Sequence, residues 1–335
     1  MKKALFGGVL VLGVLGAGHY LVRMDSYQGF AAPVMVEIPK GTSTLRIGEM
    51  LEQKGVVRNA LLFAAARVVD PKAKPQAGEY EFRTAATVAE VFGRIARGDV
   101  YRVELRVPEG STVFEIAELA EKAGFGTAAE FLKAALPLEG YLFPSTYRFA
   151  RTATAETVMR TMRAQFDKEW AHLGGGAAGQ KKVVILASQV ETEARLDEER
   201  ARIAGVYANR LAKGMRLECD PTVEYAARLD GRWRGKIYKS DLASENKYNT
   251  YRHAGLPPGP VANPGARSLQ AALKPAETDE LFFVAKVDGT GGHTFSRDYE
   301  GHQKAVVVYR HGEKASRATG KSAGVAGGGK AGGPR

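Results

Sequence analysis

Ile38–Val56 (IPKGTSTLRIGEMLEQKGV) and Val107–Phe125 (VPEGSTVFEIAELAEKAGF) align without a gap. Pro39/Pro108, Gly41/Gly110, Ile47/Ile116, Glu49/Glu118, Glu52/Glu121 and Gly55/Gly124 are identical between them. Each copy is led by a β-rich stretch (VMVEI, YRVELRV), turns at Pro-x-Gly, and passes through hydroxyl residues into a helical pattern. The apolar positions are Leu45, Ile47, Met50 and Leu51 in one copy and Val113, Ile116, Leu119 and Ala120 in the other. Thr112 and Glu115 stand at capping-box spacing, and both helices stop at Gly. A strand–turn–helix unit this small buries little alone, so the copies are expected to pack together or against AGEYEF (Ala77–Phe82). The expected class is therefore α+β.

The N-terminus sets where such a protein can sit. Lys2 and Lys3 precede ALFGGVLVLGVLGAG (Ala4–Gly18), His19 and Tyr20-Leu21-Val22, and Arg23 follows. This run of about 19 residues is close to the ~20 that cross a bilayer. Two lysines and the free amine outweigh Arg23, which Asp25 partly balances, so the N-terminus is expected in the cytoplasm. An uncleaved transmembrane anchor over residues 1–23 is one reading. A cleaved signal peptide is the rival, because Gly16-Ala17-Gly18 supplies small residues. Either way the rest of the chain is expected outside the cytoplasm. Of the net charge of +11, five basic residues against Glu313 place +4 in a Gly/Ala-rich tail, residues 312–335, expected to be disordered. The remaining basicity does not by itself choose among nucleic acid, anionic lipid and acidic polymer. Cys219 is the only cysteine, so an internal disulfide and a Cys-based metal site are both excluded.

Lys181–Ala194 reads as a helix with Val183, Leu186, Ala187, Val190 and Ala194 as its apolar stripe. Glu191 and Glu193 flank that stripe on opposite sides, so they cannot share one cleft as a pair. Glu191 has Arg195 four residues on, the orientation of a surface ion pair. Glu193 has no basic residue at three or four positions either way; Leu186, Gln189, Val190 and, were the helix to continue, Asp197 surround it. Apolar and like-charged surroundings raise a carboxyl pKa, which a general acid at neutral pH requires. Asp197-Glu198-Glu199 reads better as the start of a next helix (Ile203, Val206, Tyr207, Leu211), which weakens the part of Asp197. On spacing alone, a solvated glutamate remains the commoner outcome.

Further on, CDPTVEYA (Cys219–Ala226) and KYNTYRHAGLPPGPVANPG (Lys247–Gly265) read as polar loops of a length usual at functional sites. Tyr248, Asn249, Tyr251, Arg252 and Asn263 offer aromatic faces and hydrogen-bonding groups suited to sugar rings. DELFFVAKVDGTGGHTFS (Asp279–Ser296) reads as a hairpin turning at Gly289–Gly292, followed by a helix over Tyr299–Arg310. His-Glu-x-x-His and Gly-x-Ser-x-Gly are both absent. Gly174–Gly179 has Gln180 where a phosphate loop needs lysine, so a nucleotide site is rejected there. His293, beside the hairpin turn, reads as structural.

The doubled βα pattern resembles the small modules related to LysM domains, which bind glycan strands; a plain spacer is the competing reading. EGYLFPSTY, LASQVETEA, VYANRLAKGMRLECDPTVEYA, YNTYRHAGLPPGPVANPG with SLQAALKPA, and FFVAKVDGTGGHTFS follow one another in an order similar to that of the endolytic murein transglycosylases, the YceG-like (MltG) family. The resemblance covers about residues 1–310 and implies a map: anchor 1–23, LysM-like repeat region 35–125, mixed α+β catalytic domain 126–311, tail 312–335. It implies a single-pass inner-membrane lyase with its catalytic domain in the periplasm, cutting peptidoglycan strands internally to leave 1,6-anhydro-muramyl ends. The family's acid is second in its Glu-x-Glu motif, here Glu193; Gln189 departs from the aliphatic residue usual in relatives. Asn249, Tyr248, Tyr251 and Asp220 are the residues expected to position substrate. No metal or organic cofactor is implied, nucleic acid is not expected as a partner, and peptidoglycan synthases are. The competing readings are a non-catalytic glycan-binding scaffold, and a hydrolase pairing Glu193 with Asp220 or Glu224.

Overall fold

A computed structural model of the chain describes residues 22–69 and 71–318. The fold is mixed α+β, with helices around four two-stranded sheets among the described residues. The chain divides into two compact units, one taking the described residues to Glu104 with Arg148–Ala153, the other Leu105–Tyr147 and Thr154 onward. The expected anchor lies outside the described residues but for Val22 and Arg23. No described helix is long and apolar enough to cross a membrane.

In the first unit, β1 (Ser26–Tyr27) pairs antiparallel with β4 (Ala86–Thr87), and β2 (Val34–Ile38) with β3 (Gly78–Phe82). Strand alternation sends Val36, Ile38, Tyr80 and Phe82 into one core. Three helices close it: α1 (Thr44–Gln53), α2 (Ala60–Val69) and α3 (Val88–Arg97), with Leu51, Phe63 and Ile95 fully buried. Phe63 and Phe92 meet at 5.4 Å between ring centroids.

The internal repeat is a repeat of structure, and its details recur. α1 starts after Ser43 and α4 (Val113–Lys122) after Thr112, the equivalent residue. Gly41 and Gly110 take φ of 82° and 77°, which only glycine adopts without strain. Thr42 Oγ1 donates to the Pro39 carbonyl at 2.7 Å, and Ser111 Oγ to that of Pro108 at 2.8 Å. Both helices end on glycine amides bonded back to Glu52 and Glu121 at 2.9 Å. The copies nevertheless belong to different units. The first packs against the predicted strand, β2 on β3. In the second, β5 (Arg102–Arg106) pairs with β6 (Thr146–Ala150), and the division between units falls within these strands. Helix α4 buries Val113, Ile116, Ala117 and Ala120, and packs on α5 (Ala128–Ala135) in the second unit. The division between the compact units falls at Glu104/Leu105, so the second copy lies with the chain that follows it, where its apolar face finds cover.

The second unit continues through α6 (Ala155–His172), α7 (Gln180–Glu193), α8 (Arg200–Ala212), α9 (Asp220–Leu229), α10 (Lys239–Leu242) and α11 (Ala266–Leu273). It ends in the predicted hairpin, β7 (Phe282–Ala285) and β8 (His293–Ser296), and α12 (Tyr299–Ala318). Three expectations are corrected. α7 is packed by α8, α9 and α11, so Val184–Val190 are buried all round rather than along one stripe. CDPTVEYA is helix, not loop: Pro221 sits in the first turn of α9, where its missing N–H costs nothing. α12 runs eight residues past Arg310, into the expected disordered tail; residues 319–335 lie outside the described residues. Lys247–Gly265 remains irregular but is ordered by burial, Val261–Gly265 being wholly buried.

The two matched caps differ in strength. Thr112 Oγ1 accepts from Glu115 N at 3.3 Å while Glu115 Oε2 accepts from Thr112 N at 2.9 Å; Ser43 makes a single 3.3 Å bond with Arg46 N. Thr112→Ala should cost about 1–2 kcal/mol and Ser43→Ala about 0.5 kcal/mol in urea unfolding. Equal losses would refute the reciprocal cap as the source of the difference.

Candidate active site

Helix α7 ends at Glu193 because Ala194 turns to extended backbone (ψ 125°). The two glutamates near this end meet opposite surroundings, as their spacing requires. The Glu191 side chain is only 5% exposed, and its carboxylate takes Arg200 Nη1 at 2.9 Å and Gly265 N at 2.9 Å. Glu191 thus has a buried partner the spacing did not point to, a guanidinium nine residues on. Arg200 also donates to Asp197 Oδ1 at 3.1 Å and Ser268 Oγ at 2.6 Å.

Glu193 has a thiol and an acid beside it. The residue is half-buried, and Cys219 Sγ donates to Oε1 at 3.5 Å. Burial and the Glu193 charge push the Cys219 thiol well up, so it stays protonated as a donor; Tyr207 hydrogen-bonds the same sulfur. Loss of hydration, then the Asp220 charge, push Glu193 up to about 7. The like-charged neighbour is thus Asp220, whereas Asp197 is tied to Arg200 and Arg267. One turn before Glu193, Gln189 is fully buried; its amide donates to the Ile185 carbonyl at 3.3 Å, and Oε1 has no partner among the described residues.

Asp220 is the first residue of α9, where the exposed amides of a helix start favour a carboxylate. Tyr251 Oη donates to Asp220 Oδ1 at 2.7 Å. Burial raises Asp220 to about 6 despite that bond. Two buried threonines hold this corner: Thr250 Oγ1 accepts from Cys219 N at 3.0 Å and lies 2.9 Å from Thr222 Oγ1. Glu218, just before Cys219, has φ 52°, the only positive value at a non-glycine among the described residues. Its ion pair with Arg210 at 3.5 Å helps hold that turn.

The other candidates are placed differently. Asn249 is fully buried, its amide donating to the Leu242 and Ser244 carbonyls at 3.0 and 2.8 Å and its Oδ1 accepting from Tyr251 N at 3.0 Å. It holds its own loop, and no polar atom of its side chain is left for a ligand. Tyr248 is half-buried and points elsewhere, 5.0 Å from the Tyr225 ring. Tyr225 hydrogen-bonds a second acid, Glu139, which burial pushes up to about 8. Glu139 accepts from Val113 N at 3.0 Å and Asn263 Nδ2 at 2.8 Å. Glu224 forms an ordinary helical pair with Arg228 at 2.8 Å. His293 is structural: its Nδ1 and amide meet Glu199 at 2.6 and 2.9 Å. Among the described residues no group of three or more acidic, His or Cys side chains could hold a metal.

The sequence reading has Cys219 only as the sole cysteine and Tyr207 only in a helical pattern, and it does not single out Thr222, Thr250, Arg200 or Glu139. Only Thr222 and Thr250, hydroxyls in otherwise polar runs, carried any local signal.

Known proteins match this arrangement over most of its length. The chain is 30% identical over 309 residues to a protein of Bacillus subtilis (strain 168) named endolytic murein transglycosylase, covering 82% of this chain and 84% of that protein. A Streptococcus pneumoniae (strain D39) protein of the same name is 26% identical over 92% of this chain, which spans 65% of its length. A crystal structure of a yceG-like protein from Listeria monocytogenes superposes with a TM-score of 0.51 at 32% identity, over 81% of this chain and 98% of that one. The model of the YceG-like family matches residues 36–307, from the first strand of the repeat into the last helix, and the chain belongs to that family.

Proposed function

We propose that this chain is a membrane-anchored endolytic lytic transglycosylase that cuts peptidoglycan strands between MurNAc and GlcNAc, with Glu193 as its acid and base. The carrying observation is one carboxyl, raised to about 7, whose neighbours are a thiol and a second acid. The names of the B. subtilis and S. pneumoniae relatives support the substrate and reaction class. Residues 1–23 would cross the inner membrane once, leaving the catalytic unit in the periplasm beside cell-wall synthases. The LysM-like first copy of the repeat would hold glycan.

Protonated Glu193 gives its proton to the glycosidic oxygen as the bond from the muramyl anomeric carbon to that oxygen breaks. The leaving GlcNAc keeps a free 4-hydroxyl. The 6-hydroxyl of the same muramyl residue attacks its own anomeric carbon and returns its proton to the Glu193 carboxylate. No water is consumed, so no second carboxyl is needed to activate one. Asp220, held by Tyr251, keeps Glu193 protonated and puts negative charge beside the cation-like transition state. Tyr251 offers a ring face to the sugar beside Asp220, while Asn249 sets its loop. A hydrolase using Asp220 as base is the reading to be beaten; Glu224 is taken by Arg228.

Glu193→Gln should keep the fold and lower cleavage of purified glycan strands by about 10²–10⁴-fold, since an amide cannot protonate the leaving oxygen. Wild-type fragments should weigh about 20 mass units less than borohydride-reduced hydrolysis fragments, lacking one water and escaping two hydrogens. Reducible ends would establish the hydrolase instead. Glu191→Gln should act through stability: it removes the buried one of Arg200's two carboxylate partners, leaving Asp197, and should cost about 1–3 kcal/mol in urea unfolding. A loss of only a few tenths would contradict the buried pair.

The pH dependence follows from which form is active. Glu193 must carry its proton, so the rate should fall as pH rises through about 7. Removing the Asp220 charge makes that proton easier to lose, so Asp220→Asn should move the alkaline fall to lower pH. Burial, the larger cause, remains, so the fall should stay above the range of an exposed glutamate. A pH–rate profile unchanged by Asp220→Asn would show that Asp220 does not act on Glu193.

A further inference from the structure

The first unit holds a cavity of about 520 Å³ that the proposed chemistry does not use. Its floor is apolar: Val22, Ala66 and Phe92 line it and are buried. Its rim carries Arg23, Lys72, Lys74 and Arg97, and among the described residues no acidic one lines it. Asp99 pairs with Arg97 at 2.9 Å, but among the described residues no carboxylate pairs with Arg23, Lys72 or Lys74. Cations spread over a surface normally alternate with acids; here they converge on an apolar hollow. Val22 and Arg23 are also the last apolar residue and the first charge after the 4–22 apolar run. If that run spans the bilayer, the cavity opens where the chain leaves the membrane.

We propose that this cavity binds an anionic phospholipid of the outer face of the membrane, its phosphate among Arg23, Lys72 and Lys74 and its first chain carbons on Val22, Ala66 and Phe92. The inference rests on residues 4–22 being the anchor, and it is independent of Glu193. A sugar strand fits less well, because the described lining offers a single aromatic ring, Phe92, and a single side-chain amide, Gln76, against four cations. A simple anion would satisfy the rim but leave the floor in water. An occupied cavity ties this unit to the membrane surface by a second point besides the anchor.

The test is native mass spectrometry of the full chain released from neutral detergent and titrated with phosphatidylglycerol, phosphatidylcholine or inorganic phosphate. One phosphatidylglycerol should bind at concentrations at least about ten-fold below phosphatidylcholine, and the triple variant Arg23→Ala/Lys72→Ala/Lys74→Ala should lose the preference, about five-fold per cation. Gly93→Leu fills the wall without changing charge. A Cβ there meets only Arg97 Nη1, at 3.2 Å, and leucine favours the helix, so the fold should persist. It too should abolish the preference. Equal binding of the two lipids, or a preference that survives either variant, would overturn the proposal; so would inorganic phosphate displacing the lipid at equal concentration. If the triple variant keeps lipid but loses retention on purified sacculi, the cavity is a glycan site. Cleavage of soluble strands should be unchanged in both variants, which separates this outcome from failure of the Glu193 assignment. A mature N-terminus near residue 19 would remove the anchor and the proposal with it.

Discussion

Arg200 is the residue on which the corner around Glu193 depends. Its guanidinium is almost wholly buried and joins Glu191 at the end of α7, Asp197 in the connection to α8, and Ser268 on α11. A buried ion pair is not in itself a source of much net stability, because desolvation offsets most of the attraction. What it gives here is position. Glu191 spends both oxygens, one on Arg200 and one on the amide of Gly265 at the start of α11. The last turn of α7 is therefore fixed in rotation, and Glu193, about 200° further round the helix, is aimed at Cys219 and Asp220.

The contrast between the two glutamates turns on partners more than on exposure. Both lie at the same helix end and neither is exposed. Glu191 meets two strong donors, the Arg200 guanidinium and the Gly265 amide. Glu193 meets one weak thiol donor at 3.5 Å and the charge of Asp220. A thiol is well chosen for this place. It fills space as an apolar group would and donates too weakly to hold a carboxylate firmly ionised.

What the sequence revealed were features whose cause is local. The gapless repeat predicts two helices with equivalent starts, since Pro-x-Gly and the capping residues act within one turn. The helix at 181–194 and the 282–296 hairpin follow from periodicity and from the glycines of the turn. The separation of Glu191 from Glu193 is helix geometry and needed nothing more. Choice of partner was not legible in this way. Arg195 and Arg200 both follow Glu191, and only the docking of α8 and α11 selects Arg200. Asp197 and Asp220 were both candidate neighbours of Glu193, and the fold brings in the one 27 residues away. CDPTVEYA reads as a polar loop, although its Pro221 suits the first turn of a helix and the segment is one.

The KYNTY loop shows why its residues cannot be sorted by type alone. Asn249, which resembles a sugar-binding amide, is turned inward and bonds the carbonyls of Leu242 and Ser244. By doing so it sets two tyrosines that go to different acids. Tyr251 holds Asp220 in the Glu193 corner, and Tyr248 lies against Tyr225, which holds Glu139. Glu139 in turn fastens the first amide of α4 and, through Asn263, the segments around Ser111 and Leu142. One short loop thus couples the acid that tunes the proposed catalyst to the acid that closes the second copy of the repeat. A substitution at Asn249 would act on both through the tyrosines beside it, and a loss of activity there would report on the position of Asp220 without any contact between Asn249 and a sugar.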